Sequence, residues 1–317
     1  MSDQTSSFRI AAVQAAPVFL DRTATLEKAC GLIAQAAQGG ARLAAFPESF
    51  IPAYPDWAWA VPAGEEGVLN ELYAELLENA VDIPGKTTDR LCQAAREAHM
   101  HVVMGLTERN HEASGASLYN TLLYIDNEGN ILGKHRKLVP TGGERLVWAQ
   151  GDGSTLEVYD TPFGKLGGLI CWENYMPLAR YSLYARGVQI YVAATWDRGE
   201  PWLSTLRHIA KEGGVYVLGC GMALRKADLP DRLGLKERFY SQAGDWINAG
   251  DSVIVNPAGE FIAGPLHESE GILYAEVSRA MQHGSKSMLD TAGHYARPDV
   301  FHLTINRRPQ PMIEDQA

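Results

Sequence analysis

A cysteine at a backbone corner, a carboxylate ending an apolar strand and a lysine closing another strand are residue types that can combine into nucleophilic catalysis. Cys171 follows the apolar run KLGGLI and precedes Trp172-Glu173-Asn174, with a helix expected from Pro177. A thiol at a strand-to-helix corner lies near backbone N–H groups and the positive end of a helix. Both lower its pKa and favour the thiolate. Cysteines are more often buried structural residues, and Cys30, Cys92 and Cys220 fit that description, on apolar helix faces or inside a strand. Cys171 fits it less well, because a bulky tryptophan and two polar residues follow at once.

Glu48 ends the stretch RLAAF-Pro47-Glu48. Partial desolvation there raises a carboxyl pKa toward values useful for a general base, although such a group taken alone is more often a cap or loop carboxylate. Lys137 closes ILGKHRK. Lys134, His135, Arg136 and Lys137 read equally well as a solvated basic run, and spacing does not say which of them points inward.

Taken together these positions carry a resemblance. FPES at Phe46–Ser49, HRKLVPTGGER at His135–Arg145 and CWENYMPL at Cys171–Leu178 resemble the three signature segments of the nitrilase superfamily, in the family's order and at comparable spacings. DSVIVNPAGEFIAGP and GHYARPDVF resemble its nitrilase branch, so the likeness spans nearly the whole chain. Each segment alone is weak; three in order are specific.

The resemblance implies a four-layer αββα sandwich of two mixed sheets flanked by helices, assembled through dimers into larger oligomers. It implies one carbon–nitrogen hydrolase domain over residues 1–306 and a polar tail over 307–317. It casts Cys171 as nucleophile, Glu48 as general base, Lys137 as cationic stabiliser and Glu144 as the second glutamate positioning the lysine and the attacking water. Tyr54, Trp148, Trp172, Thr195 and Trp196 would line the substrate site, where aromatics could equally be core or interface residues. No metal or organic cofactor is implied.

The chemistry suits these types. A nitrile carbon is weakly electrophilic and a thiolate is a soft, strong nucleophile toward it. The charge that develops on nitrogen needs a cation or a proton. The expected activity is hydrolysis of an organic nitrile to the acid and ammonia. An amidase or carbamoylase of the same superfamily is the first rival, disfavoured by Trp172 after the nucleophile. A cyanide-converting enzyme is a narrower rival within the nitrilase branch, and a catalytically silent scaffold is the rival of a different class, against which intact Glu48, Lys137 and Cys171 speak.

Positioning these groups falls to alternating strands and helices. Strands are expected at FRIAAVQAA, RLAAF, HVVMGLTER, LYNTLLYID, ILGKHRK, LEVYDT, KLGGLIC, VQIYVAAT, GVYVLGCGMA, SVIVNPAGEFIAGP (a hairpin) and GILYAEV. Helices are expected after Ala24, from Leu69 to Ala80, from Thr88 to His99, from Pro177 to Arg186 and from Pro201 to Glu212. Hairpins mixed with crossovers argue for mixed sheets covered by helices.

The 317 residues, 46% hydrophobic and 21% charged, suffice for a large core without disulfides or metal. A net charge of −10 argues against a nucleic-acid partner. Residues 1–9 show no secretory leader, no apolar run approaches the roughly 18 residues of a membrane span, and four scattered cysteines suit a reducing compartment. A cytoplasmic homo-oligomer acting on a small molecule, with no membrane partner, is therefore expected. The H-x-H at His99 and His101 lacks further ligands for a metal site, and no phosphate-cradling glycine motif occurs.

Overall fold

The computed structural model describes residues 7–313. The leader reading therefore falls mostly outside the described residues, as do the last four positions of the tail. Thirteen strands occur among the described residues: β1 Ser7–Gln14, β2 Ala41–Ala45, β3 His101–Arg109, β4 Leu118–Ile125, β5 Ile131–Arg136, β6 Tyr159–Thr161, β7 Gly164–Ile170, β8 Ile190–Thr195, β9 Tyr216–Gly221, β10 Ala223–Arg225, β11 Trp246–Val255, β12 Phe261–His267 and β13 Gly271–Ser278. The helices are α1 Arg22–Gln38, α2 Trp57–Ala60, α3 Glu66–Asn79, α4 Lys86–Glu97, α5 Pro177–Ala185, α6 Glu200–Gly213 and α7 Arg279–Ser285.

One sheet runs β13-β1-β2-β3-β4-β5; the other runs β10-β11-β9-β8-β7-β6 with β12 paired to β11. Each has a parallel centre, β1-β2-β3 and β7-β8-β9, with antiparallel neighbours. The strand period of two sorts the side chains between layers. Ile190, Val192 and Ala194 of β8 face the partner sheet with Ile10 and Ala12 of β1, whereas Tyr191 and Ala193 turn outward to Leu206 and Ile209 of α6. On the far side, Val102 and Met104 of β3 meet Ile33 of α1 and Leu91 of α4. The order of layers is helix, sheet, sheet, helix. Each fully buried aliphatic side chain in these interfaces contributes roughly 1.5–3 kcal/mol.

Topology explains why distant residues converge. Strand β5 is antiparallel to β4, which is antiparallel to β3, so β5 ends at the same sheet edge as β2. Glu48 leaves β2 and Lys137 leaves β5 at that edge. Three strand spacings of about 4.8 Å would separate them, but the segment after β2 crosses over β3. Ile51 N–H donates to Gly105 O and Thr107 N–H to Ile51 O, which carries Glu48 toward β4. The crossing needs a glycine: a Cβ at Gly105 would stand 2.0 Å from Pro47 O and 2.7 Å from Glu48 Cα. Gly105→Ala should therefore cost at least about 1–3 kcal/mol of stability by overpacking. It should also cut kcat/KM on the order of 10²-fold by displacing Glu48. Thermal melts and steady-state kinetics check both; a variant with native melting and turnover would refute the crossing's role.

Candidate active site

Three strand ends build the site. Cys171 follows β7 and opens a 3-10 turn, Cys171–Tyr175, at φ +51, a left-handed value costly for a residue with a Cβ. Asn174 fixes that turn. Its Nδ2 donates to Cys171 O at 2.8 Å and Leu169 O at 3.2 Å, while its Oδ1 accepts from Tyr191 OH at 2.7 Å. Ser49, after Glu48, is left-handed as well at φ +46, its hydroxyl bonded to Ala53 O and Thr107 Oγ1.

Glu48 is fully buried. Its Oε1 accepts from Trp196 N–H at 2.5 Å and its Oε2 from Asn120 Nδ2 at 2.7 Å, with Lys137 Nζ at 3.6 Å. The Cys171 thiol also hydrogen-bonds to this carboxylate. Thr195 Oγ1 donates to Cys171 Sγ at 3.4 Å, and Asp197 N–H donates to that same Oγ1, which leaves the hydroxyl hydrogen for the sulfur. Lys137 Nζ donates to Glu144 Oε2 at 2.7 Å. Glu144 accepts in addition from Thr141 N–H and from Tyr54 OH. The structure thus brings Glu48, Lys137, Glu144, Cys171, Tyr54 and Thr195 into one bonded cluster.

The charges are interdependent. Burial lifts the Glu48 carboxyl above its usual range, with Lys137 opposing. Burial alone would push the Lys137 ammonium down, but Glu48, Cys171 and Glu144 hold it above the usual lysine range. Burial and then the Glu48 charge raise the Cys171 thiol. That reverses the expectation of a depressed thiol. The helix end that was to stabilise a thiolate begins only at Pro177, and a buried carboxylate stands against the sulfur instead. The raised pKa favours the protonated thiol, with the Glu48 carboxyl beside it.

Cys171, Glu144 and Tyr54 open onto a cleft of about 570 Å³; Glu48 and Lys137 are buried behind them. Trp172 and Trp196 line the cleft, with Trp196 stacked on Tyr54 at 4.4 Å and 7°. Trp148 does not line it. It is buried and packs edge-on against Tyr54, which does line the cleft. The basic run is not solvated: Lys134 and Arg136 turn to Glu108, while His135 and Lys137 turn inward and are buried. Strand alternation over residues 134–137 would have separated them.

Asn120, His135 and Glu173 escaped the reading of the sequence. The signal for Asn120 was a lone amide in the apolar strand LYNTLLYI. Glu173 ties the cysteine turn to the lysine strand. It accepts from Ile170 N–H at 2.9 Å and Leu138 N–H at 2.8 Å, and pairs with His135 Nε2 at 2.9 Å. His135 Nδ1 faces Thr155 O, an acceptor, so both ring nitrogens carry protons. Burial would raise Glu173, but the His135 cation and these donors hold its pKa low; burial would lower His135, but Glu173 raises it. The depressed glutamate stabilises the fold above its ordinary value of 4.5 and loses that as pH falls through its folded pKa. The raised histidine stabilises below its ordinary 6.5 and loses that as pH rises through its folded pKa. Glu173→Gln should cost about 3–5 kcal/mol by leaving a buried imidazolium unpaired, and should flatten the pH dependence of stability. Urea unfolding across pH 4–8 tests this; an unchanged midpoint would refute it.

The family described as Carbon-nitrogen hydrolase matches residues 9–283. Nitrilase 1 of Arabidopsis thaliana is 42% identical over 97% of this chain and 89% of its own length. An aliphatic nitrilase of Sinorhizobium fredii (strain HH103) is 42% identical over 98% of this chain and 100% of its own. A bifunctional nitrilase/nitrile hydratase of Nicotiana tabacum is 41% identical over 96% and 87%. Among solved structures, Saccharomyces cerevisiae Nit3, a member of branch 10 of the nitrilase superfamily, superposes with a TM-score of 0.71 at 22% identity, covering 93% of this chain and 98% of that one. An amidase from Nesterenkonia sp. superposes at 0.64 with 21% identity, covering 89% and 94%. At such identity these two structures speak for the fold.

Proposed function

This chain belongs to the carbon–nitrogen hydrolase family, and from that premise we propose that it is a nitrilase, turning an organic nitrile and two waters into the carboxylic acid and ammonia. The observation that carries the reading is the convergence of a thiol, a carboxylate and an ammonium, from three separate strand ends, at the floor of an aromatic-walled cleft.

In the proposed course, Glu48 takes the Cys171 proton as sulfur bonds to the nitrile carbon and hands it to the nitrile nitrogen, which gives a neutral thioimidate and returns Glu48 to its carboxylate. Lys137, held by Glu144, meets the charge that develops on nitrogen; a preorganised donor of this kind is worth about 10²–10³ in rate. Glu48 then draws a proton from water attacking the thioimidate carbon. The tetrahedral adduct loses ammonia to leave a thioester, and a second water releases the acid and restores the thiol. Loss of the sulfur from that adduct instead would release the amide. A minor amide product is part of the proposal, in keeping with the paired activities in the Nicotiana relative's name.

Ammonia release across aliphatic, arylaliphatic and aromatic nitriles, with the matching amides as controls, tests the reading. Hydrolysis of at least one nitrile class well above its amide is expected. Hydrolysis of amides with no nitrile turned over would move the protein to the amidase rival.

The proposal places the enzyme in the cytoplasm as a homodimer or larger assembly. All four cysteines are free and buried, and among the described residues no helix is long and apolar enough to cross a membrane. Leu178 on α5 lies beside Phe301 in an exposed apolar groove, a surface suited to a second copy. Sedimentation would read the subunit number.

A further inference from the structure

The cleft beyond the reacting groups carries a charge pattern that bond cleavage does not require. Its walls are rings: Trp59, Trp172, Trp196, Tyr240 and Trp246. Two carboxylates open between them. Asp56 takes hydrogen bonds from the Tyr240 hydroxyl and the Trp196 indole, and Asp197 accepts from Trp172 Nε1 at 2.8 Å. A carboxylate offers about four lone-pair directions, so Asp56 keeps acceptor capacity toward the cleft. Among the described residues lining the cleft the one basic side chain is Arg198, exposed at the rim. Behind the floor, Glu48 and Glu144 outnumber Lys137. With Arg225 stacked on the Trp246 ring at 4.6 Å, four carboxylates still outnumber three cations around the space a substrate enters. Burial lifts the Asp56 carboxyl above its usual range despite the hydrogen bonds from Tyr240 and Trp196 and the charge of Arg198, as for a group that would gain from an incoming cation.

We propose that Asp56 and Asp197 set the substrate class of this site: aryl or arylalkyl nitriles whose distal end is neutral or cationic are taken, and those with an anionic distal end are refused. The inference rests on the nitrilase reading above. Indole faces hold an aromatic body and attract a cation. A second anion in the cleft meets like charge that bulk salt screens poorly. The same field acts on the product, which leaves as a carboxylate, and so favours its release.

The test uses three 3-phenylpropionitriles of similar size, bearing a para methyl, aminomethyl or carboxylate group, read by ammonia release. The aminomethyl compound should match or exceed the methyl compound in kcat/KM. The carboxylate compound should fall below it on the order of 10²-fold, as expected for like-charge juxtaposition. Asp56→Asn and Asp197→Asn should each narrow the methyl-to-carboxylate ratio by about tenfold, whatever their effect on absolute rate. The product 3-phenylpropionate should inhibit only at concentrations well above KM. Equal kcat/KM for the methyl and carboxylate compounds, or a ratio unmoved in both variants, would overturn the charge selection while leaving the nitrilase reading in place. Failure of the folded protein to hydrolyse any of the three while it turns over an aliphatic nitrile would overturn this inference alone; failure on every nitrile class would remove the nitrilase reading, and this inference with it.

Discussion

Lys137→Arg should lower kcat/KM toward nitriles by about 10³-fold, the value of one preorganised donor at a developing charge, without unfolding the protein. Lys137 is fully buried, its ammonium between Glu144 Oε2 at 2.7 Å and Glu48 Oε2 at 3.6 Å. The side chain fits because an ammonium is compact and can aim its three protons separately at Glu144, Glu48 and the substrate nitrogen. A guanidinium is planar and wider, and would pair bidentately with Glu144 or push Glu48 from Asn120 and Trp196. Both side chains are cationic at every working pH, so charge is kept and only geometry changes. That separates this variant from Lys137→Ala, which would leave two buried carboxylates without their cation. Kinetics beside a thermal melt decide the matter: turnover within tenfold of the native protein would remove Lys137 from the mechanism.

Glu48→Gln should produce two effects of opposite sign. Turnover falls by about 10²–10⁴-fold, the usual worth of a general base, because nothing remains to accept the thiol proton or to activate water. The thiol, in contrast, becomes easier to ionise. The Glu48 charge is one of the causes that lift the Cys171 pKa, and without it Lys137 acts on the sulfur with less opposition. The pH at which Cys171 reacts half-maximally with iodoacetamide should therefore move down in the variant. An unmoved midpoint would mean that no Glu48 charge acts on the resting thiol. Turnover close to native would remove the base assignment altogether.

Much of this was legible before any coordinates. Strand ends were located within a residue or two at Glu48, Lys137 and Cys171, because apolar runs with sharp polar stops mark buried strands. The order of layers followed from the resemblance to the nitrilase superfamily, whereas hairpins mixed with crossovers pointed only to mixed sheets covered by helices. What escaped is instructive in physical terms. The stretch after β9, residues 222–245, has no helical or alternating period, yet it brings Tyr240 to the cleft. Its structure is set by contacts with Asp56 and with strand β11, which no local pattern encodes. The environment of the thiol escaped too. Sequence placed a helix after Cys171 but not the left-handed turn in between, and it left out the burial and the Glu48 charge that raise the thiol, so it gave the wrong direction for its ionisation. Trp148, one residue after Val147 on a loop, could not be assigned to the front or back of the Tyr54 ring from spacing alone. The Glu173–His135 brace was hidden because each partner sits beside a more conspicuous neighbour, Trp172 and Lys137, and only the fold makes them a pair.

The covalent step is the centre of the account, and intact-protein and peptide mass spectrometry of enzyme quenched in acid during turnover of a slow nitrile reads it directly. A mass increase equal to the acyl or imidoyl group of that nitrile is expected, located on the peptide containing Cys171 and lost in Cys171→Ala together with ammonia release. An adduct on Cys30, Cys92 or Cys220, or undiminished ammonia release from Cys171→Ala, would contradict it.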